Sequence, residues 1–188
     1  METKRLFIAI ELPEPLREAL DSYMQHIRKT IPELAHSSFC KKENLHITTL
    51  FLGDTDVSLI PELIQRLQIT SFPSFTLTFE AIRFFPETRH PRMIWATCQP
   101  SEPFVSLVHS LEQALHDIVS LEKNERTPIA HCTLTRLRQF FMNDTIQLPP
   151  LLLPKEASTV QVNGISLIES KILNTGPKYT TLCTAMLS

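Results

Sequence analysis

The spacing of apolar residues changes from one segment to the next along this chain, and each change marks an element. Residues 5–11, RLFIAIE, make a near-continuous apolar run of strand length. Leu16, Leu20, Tyr23, Met24, Ile27 and Ile31 then recur at three-to-four spacing, which predicts a helix with Pro15 in its first turn. The segment NLHITTLFLGD, residues 44–54, reads as a strand running into a glycine turn. Ile60, Leu63, Ile64 and Leu67 predict a short second helix with Pro61 near its start, and FTLTFEAI, residues 75–82, alternates as a strand. RMIWATC, residues 92–98, predicts another strand, followed by a helix with Phe104, Leu107, Val108, Leu111, Leu115 and Ile118 on one face. Residues 129–137, IAHCTLTRL, are strand-like. Prolines 149, 150 and 154 mark an irregular connection, and two closing strands are expected over residues 158–169 and 179–187.

This order repeats. RLFIAIELP over 5–13 aligns with RMIWATCQP over 92–100 at an offset of 87, sharing the arginine, the alanine and the proline. The helices align at 88, Pro15-Leu16 over Pro103-Phe104, and His46-x-Thr48 aligns with His131-x-Thr133 at 85. Small drifting offsets with one element order are what duplication followed by loop-length change leaves. The expectation is one α+β domain of two similar antiparallel-sheet lobes, approximately 1–90 and 91–188. The lobes are related by a pseudo-two-fold axis with a cleft between them, and duplication leaves exchange of strands between them open.

Composition narrows the function. The chain has 188 residues, 43% hydrophobic and 20% charged, with a formal charge of -2, so it carries no basic footprint for long nucleic acid. Four scattered cysteines form no Cys-x-x-Cys pair, which argues against a zinc knuckle or a disulfide framework and suits a reducing cytoplasm. Glu11 and Pro13 interrupt the N-terminal apolar run too soon for a signal-peptide core, and no segment reaches transmembrane length. A soluble, cytoplasmic protein is expected.

Seven histidines and 19 threonines in 188 residues predict roughly 0.7 His-x-Thr triplets by accident. Two occur, and their placement matters more than their number: both lie on predicted strands at corresponding positions of the repeat. Residues i and i+2 of a strand share a face, so His46 with Thr48, and His131 with Thr133, would converge on one small volume. Two imidazoles and two hydroxyls suit a phosphodiester, with one imidazole taking a proton, one giving a proton, and the hydroxyls donating to phosphoryl oxygens. A metal would want three or four ligands, and acidic partners at ligand spacing are missing, so no metal or other cofactor is expected. His26, His109 and His116 fall on predicted helices, and His36 and His90 in loops.

With these motifs the chain resembles the two-histidine (2H) phosphoesterase superfamily, and within it the RNA 2',3'-cyclic phosphodiesterases once called 2'-5' RNA ligases. RLFIAIELPEPLREAL is similar to that group's opening strand and helix, NLHITTLFLGD to its first motif, AHCTLTR to its second, and GPKYTTL to its last hairpin and strand. The resemblance implies that His46 and His131 are catalytic, that Thr48 and Thr133 hold a cyclic phosphate, and that water opens the ring to leave a 2'-phosphate. We take His46 as acid and His131 as base, an assignment the near-symmetric motifs do not themselves fix. The resemblance also implies substrate contacts for Arg136, Tyr179, Arg89, Arg92 and Lys178, and a base-stacking role is open to Phe7. Simple alternation puts Arg136 on the face opposite His131, so either a bulge or the strand's end redirects it, or its role is structural. Thr49 stands where the family usually has an apolar residue, and altered packing is expected there. The implied partners are RNA or oligonucleotide ends bearing a cyclic phosphate, with no membrane and no obligatory protein partner, for a monomer. Competing readings are 2'-5' ligation, cleavage of a 2'-5' linked nucleotide, and a non-catalytic module that binds RNA ends.

Overall fold

Five consecutive buried positions, Leu6 to Ile10, place the first strand, β1 (Thr3–Glu11), between two apolar layers. Leu6, Ile8 and Ile10 enter the main core, while Phe7 and Ala9 enter a small separate cluster with Ile168. The computed structural model describes residues 2–121, 126–138, 140, 142, 146–151, 153, 158–174 and 176–188. Pro154, expected in an irregular connection, lies outside them.

The strands after β1 are β2 (Ser38–Phe39), β3 (His46–Asp56), β4 (Phe75–Phe85), β5 (Met93–Cys98), β6 (His131–Arg136), β7 (Thr159–Val162), β8 (Gly164–Leu173) and β9 (Gly176–Met186). The helices are α1 (Glu14–Thr30), α2 (Ile60–Ile69) and α3 (Glu102–Leu115). Each helix buries one stripe: Leu16, Leu20, Met24 and Ile27 on α1, Leu63 and Leu67 on α2, and Phe104, Leu107, Leu111 and Leu115 on α3. Ser101 caps α3 by accepting a hydrogen bond from the amide of Phe104. Ile118 lies past the end of α3, although it still packs on the core.

All pairings among the described strands are antiparallel, in the order β7-β4-β5-β6-β3-β1-β8-β9, with β2 against β6. The fold is α+β, a curled sheet of two four-stranded lobes that meet where Ile47 of β3 lies opposite Cys132 of β6. β4 comes from the first half of the chain and pairs with β5, while β8 comes from the second half and pairs with β1. The expected strand over 158–169 is therefore two strands, broken at Asn163, one in each lobe. Alternation alone cannot show such a change of partner. β2 is too short to leave a periodic signal.

Residue matching also misaligns β1 with β5 by one position. Glu11 lies opposite His46 and Ala9 opposite Thr48, while Thr97 lies opposite His131 and Trp95 opposite Thr133, an offset of 86. The matched alanines are on different faces, Ala9 in the small cluster and Ala96 in the main core.

Both lobes carry a bulge next to the His-x-Thr segment. In the β1–β3 register Ile8 faces Leu50 and Ala9 faces Thr48, leaving Thr49 extra. In the β5–β6 register Ile94 faces Thr135 and Trp95 faces Thr133, leaving Leu134 extra. An extra residue reverses the alternation beyond it. Leu134 and Thr135 are accordingly buried in succession, and Arg136 returns to the histidine side. The bulge thus settles the position of Arg136 left open by simple alternation. Thr49 is buried where an apolar residue would fit, and its hydroxyl donates to the carbonyl of Ile8 at 3.0 Å, so the substitution leaves no unpaired group. Gly53 is not in a turn, as its sequence suggests. It sits within β3 at a second register shift, with φ of +71°, a conformation glycine adopts without strain.

Candidate active site

Ile47 and Cys132, opposite each other at the seam, are fully buried in the main core. Their flanking residues, His46 and Thr48 on β3 and His131 and Thr133 on β6, therefore lie together on the other face, all partly exposed. Antiparallel pairing sets His46 beside Thr133 and Thr48 beside His131.

The backbone fixes both imidazoles in the same way. Nδ1 of His46 donates to the carbonyl of Asn44 at 2.7 Å, and Nδ1 of His131 donates to the carbonyl of Ile129 at 2.7 Å. A carbonyl can only accept, so the proton sits on Nδ1 and the working nitrogen is Nε2 in both rings. Nε2 of His46 lies 3.0 Å from Oγ1 of Thr48. Neutral His46 accepts that hydroxyl proton, and its charged form would donate instead.

Rings from neighbouring strands pack the two histidines. Phe7 lies against His46 at 4.9 Å between centroids, and Tyr179 stands edge-on to the same ring at 5.4 Å and 83°. Trp95 stacks on His131 at 3.6 Å and 21°, and Phe85 stacks on the far side of Trp95 at 3.5 Å. Burial pushes both histidines below their ordinary pKa. The bonds to Asn44 and Ile129 oppose that shift in each ring. Arg136 lowers His46 further while Glu11 opposes it, and His46 itself lowers His131, so the two titrations are coupled.

Known proteins resemble this chain in sequence and in fold. The family profile described as "LigT like Phosphoesterase" matches residues 10–95. An RNA 2',3'-cyclic phosphodiesterase of Aeropyrum pernix is 30% identical over 74% of this chain and 80% of its own length. The chain belongs to the LigT-like phosphoesterase family. The RNA 2',3'-cyclic phosphodiesterase of Thermotoga maritima is 25% identical to this LigT-like phosphoesterase over 95% of the chain and 92% of the relative. E. coli LigT complexed with 3'-AMP superposes with a TM-score of 0.78 at 25% identity, covering 100% of this chain and 99% of that one.

The structure does not bring every residue singled out in the sequence to the histidine pair. His46, Thr48, His131, Thr133, Arg136 and Tyr179 share one side of the sheet. Phe7 lies there too, but it is 4% exposed and packed among His46, Phe51 and Tyr179, so it supports His46 and offers no free face to a base. Lys178 pairs with Lys171 on the face opposite Tyr179, because adjacent residues of β9 alternate. Arg89 and Arg92 are exposed, and their backbone groups tie the 86–92 connection to Phe85, Leu137 and Met142 rather than to either histidine. Sequence reading passed over Trp95, Phe85 and Asn44. Trp95 sits in an apolar run that resembles core, and only the register with Thr133 shows that it faces the site.

Among the described residues no helix is long and apolar enough to cross a membrane.

Proposed function

We propose that the protein hydrolyses the 2',3'-cyclic phosphate of RNA or oligonucleotide ends to a 2'-phosphate, by paired general acid and base catalysis from His46 and His131 without a metal. The observation that carries this reading is the matched pair of imidazoles at the seam, each held by an Nδ1–H bond of 2.7 Å to a backbone carbonyl. Nε2 is thereby the proton-transferring nitrogen of both rings, and in His46 it is 3.0 Å from the Thr48 hydroxyl that substrate would displace. His131 takes a proton from water as it attacks phosphorus, and His46 gives a proton to the departing 3'-oxygen. The hydroxyls of Thr48 and Thr133 donate to the non-bridging oxygens, where charge accumulates in the transition state, and Arg136 adds a positive charge on the same side. Burial supports this chemistry, because it draws both histidines below their ordinary pKa and leaves a neutral base available near pH 7. Family relatives named RNA 2',3'-cyclic phosphodiesterase support the substrate class.

The same reading takes the chain as one bilobal domain made by duplication, with repeat units of approximately 1–90 and 91–188. The matching bulges at Thr49 and Leu134 favour it, since independent strands have no reason to share them.

The test is turnover of a nucleoside 2',3'-cyclic phosphate in the presence of chelator. His46→Ala and His131→Ala should each lower kcat by about two to four powers of ten, and the double variant should lose little more, because acid and base act as a unit. Full activity in the double variant would overturn the assignment. Binding of the cyclic end without turnover by the wild type would favour a non-catalytic module instead.

A further inference from the structure

The two lobes differ on the histidine side of the sheet. In the β1–β8 lobe that surface is filled, with Phe7, Ala9 and Ile168 buried beneath Tyr179. In the β4–β5 lobe the corresponding surface opens into a cavity of about 570 Å³, floored by Phe85, Trp95 and Thr97 and walled by Val105, Pro128 and Ile129. That volume falls within the range of small-molecule sites. β7 pairs only with residues 75–78 of β4, which leaves the stretch of β4 that carries Arg83 and Phe85 without that neighbour.

The cavity adjoins the candidate active site through residues that touch or face His131, although His131 itself does not line it. Trp95 stacks on His131, the Ile129 carbonyl accepts from His131, and Thr97 lies opposite His131 across the strands. An occupant of the cavity is therefore separated from His131 by the Trp95 ring and the Ile129 backbone alone. The side chain of Ile129, 53% exposed, gives the entrance an apolar lip.

The rim decides what kind of group fits. Glu80, Glu87 and Glu102 line it beside one arginine, Arg83, which is itself paired with Glu80 at 4.0 Å and Glu87 at 3.5 Å. Three carboxylates against one cation repel a second phosphate, whereas an uncharged aromatic heterocycle meets apolar and aromatic walls with polar groups at its edge.

We infer that this cavity binds the base of the nucleoside that carries the cyclic phosphate. The inference rests on the hydrolase reading above and adds a direction to it: the terminal nucleoside lies on the His131 lobe. In the His46 lobe the corresponding positions are taken up by the buried Phe7, Ala9 and Ile168 with Tyr179 packed on them.

Two measurements test it. Turnover of adenosine 2',3'-cyclic phosphate is compared with turnover of methyl riboside 2',3'-cyclic phosphate, which has no base. Val105→Phe fills the cavity from α3 and should lower the ratio of the two kcat/KM values, base-bearing over base-free, at least tenfold. An unchanged ratio would overturn the inference. Should Val105→Phe fail to fold, Ile129→Ala at the exposed lip is read the same way, with a fall of at least threefold expected and no change counting against the cavity. The second measurement needs no turnover. Trp95 is the only tryptophan in the chain, so titration with adenosine 2'-monophosphate should give a saturable change in its emission, with weaker affinity in Val105→Phe. Absence of a saturable change in the wild type would overturn the inference. Wild-type protein that turns over neither substrate would defeat the hydrolase reading, and the fluorescence result would then decide the cavity alone.

Discussion

Trp95 lies flat on His131, with ring centroids 3.6 Å apart and planes 21° from parallel. An imidazolium quenches the emission of an indole in contact with it much more than a neutral imidazole does. Because the chain has one tryptophan, its emission reports the charge of His131. Intensity should fall on acidification with a midpoint below the ordinary histidine value, since burial disfavours the charged ring. In His46→Asn the midpoint should rise, because the charge of His46 is one of the causes that hold His131 down. A midpoint that does not respond to the loss of His46 would show that the two rings are uncoupled.

Arg136 acts on His46 from the neighbouring strand, and its charge disfavours the imidazolium. Arg136→Ala should therefore raise the pKa of His46, which histidine NMR reads directly. With His46 as the acid, the alkaline limb of the kcat/KM profile should move up with it. Loss of a cation beside the developing phosphoryl charge should lower kcat/KM about 10- to 100-fold. An unshifted His46 resonance in the variant would place the guanidinium elsewhere in solution.

How much of this was legible in the sequence follows from what each signal measures. The helices could be read because their apolar stripes repeat over two or more turns and Pro15, Pro61 and Pro103 mark their starts. The histidines and threonines could be read because a period of two places i and i+2 together, and that holds up to the first bulge. Beyond Thr49 and Leu134 the period fails, which is why alternation left the face of Arg136 open and why the exposure of Phe51 had no signal. Pairing between strands distant in sequence was invisible, so the change of lobe at Asn163 and the place of Trp95 over His131 emerged only from the register. Lys178 shows the opposite error: its motif was recognised, but its neighbour Tyr179 takes the face toward the site.

Asn44 connects His46 to the β8–β9 hairpin. Its carbonyl accepts from Nδ1 of His46 at 2.7 Å, and its side-chain amide donates to the carbonyl of Pro177 at 2.9 Å. Asn44 is buried, so Asn44→Ala leaves the Pro177 carbonyl without its donor at a cost of about 1–3 kcal/mol. The backbone carbonyl survives the substitution but loses its anchor. His46 should then be held less well, lowering kcat about tenfold with a smaller change in KM. Thermal unfolding and steady-state kinetics check the two parts separately. A stability loss with kcat intact would confine Asn44 to a structural role.

The histidine pair should also leave a mark on stability that is independent of any substrate. Burial is the largest cause of the shift in each ring, and it sets the folded pKa below the ordinary value of 6.5. At mildly acid pH the unfolded chain then binds more protons than the folded one, so folding stability rises with pH across the window between the folded values and 6.5. The contribution is fully present above that window and is lost below it. Carboxylates held below their ordinary pKa, such as Asp56 and Glu14, also lose stability in acid, but they are common to the wild type and any histidine variant. Comparison of the wild type with the His46→Asn, His131→Asn double variant isolates the histidines. Between pH 7.5 and pH 5 the Tm of the wild type should fall further than that of the double variant, and above the window the two curves should run parallel. Parallel curves over the whole range would mean that neither ring is desolvated in the folded protein.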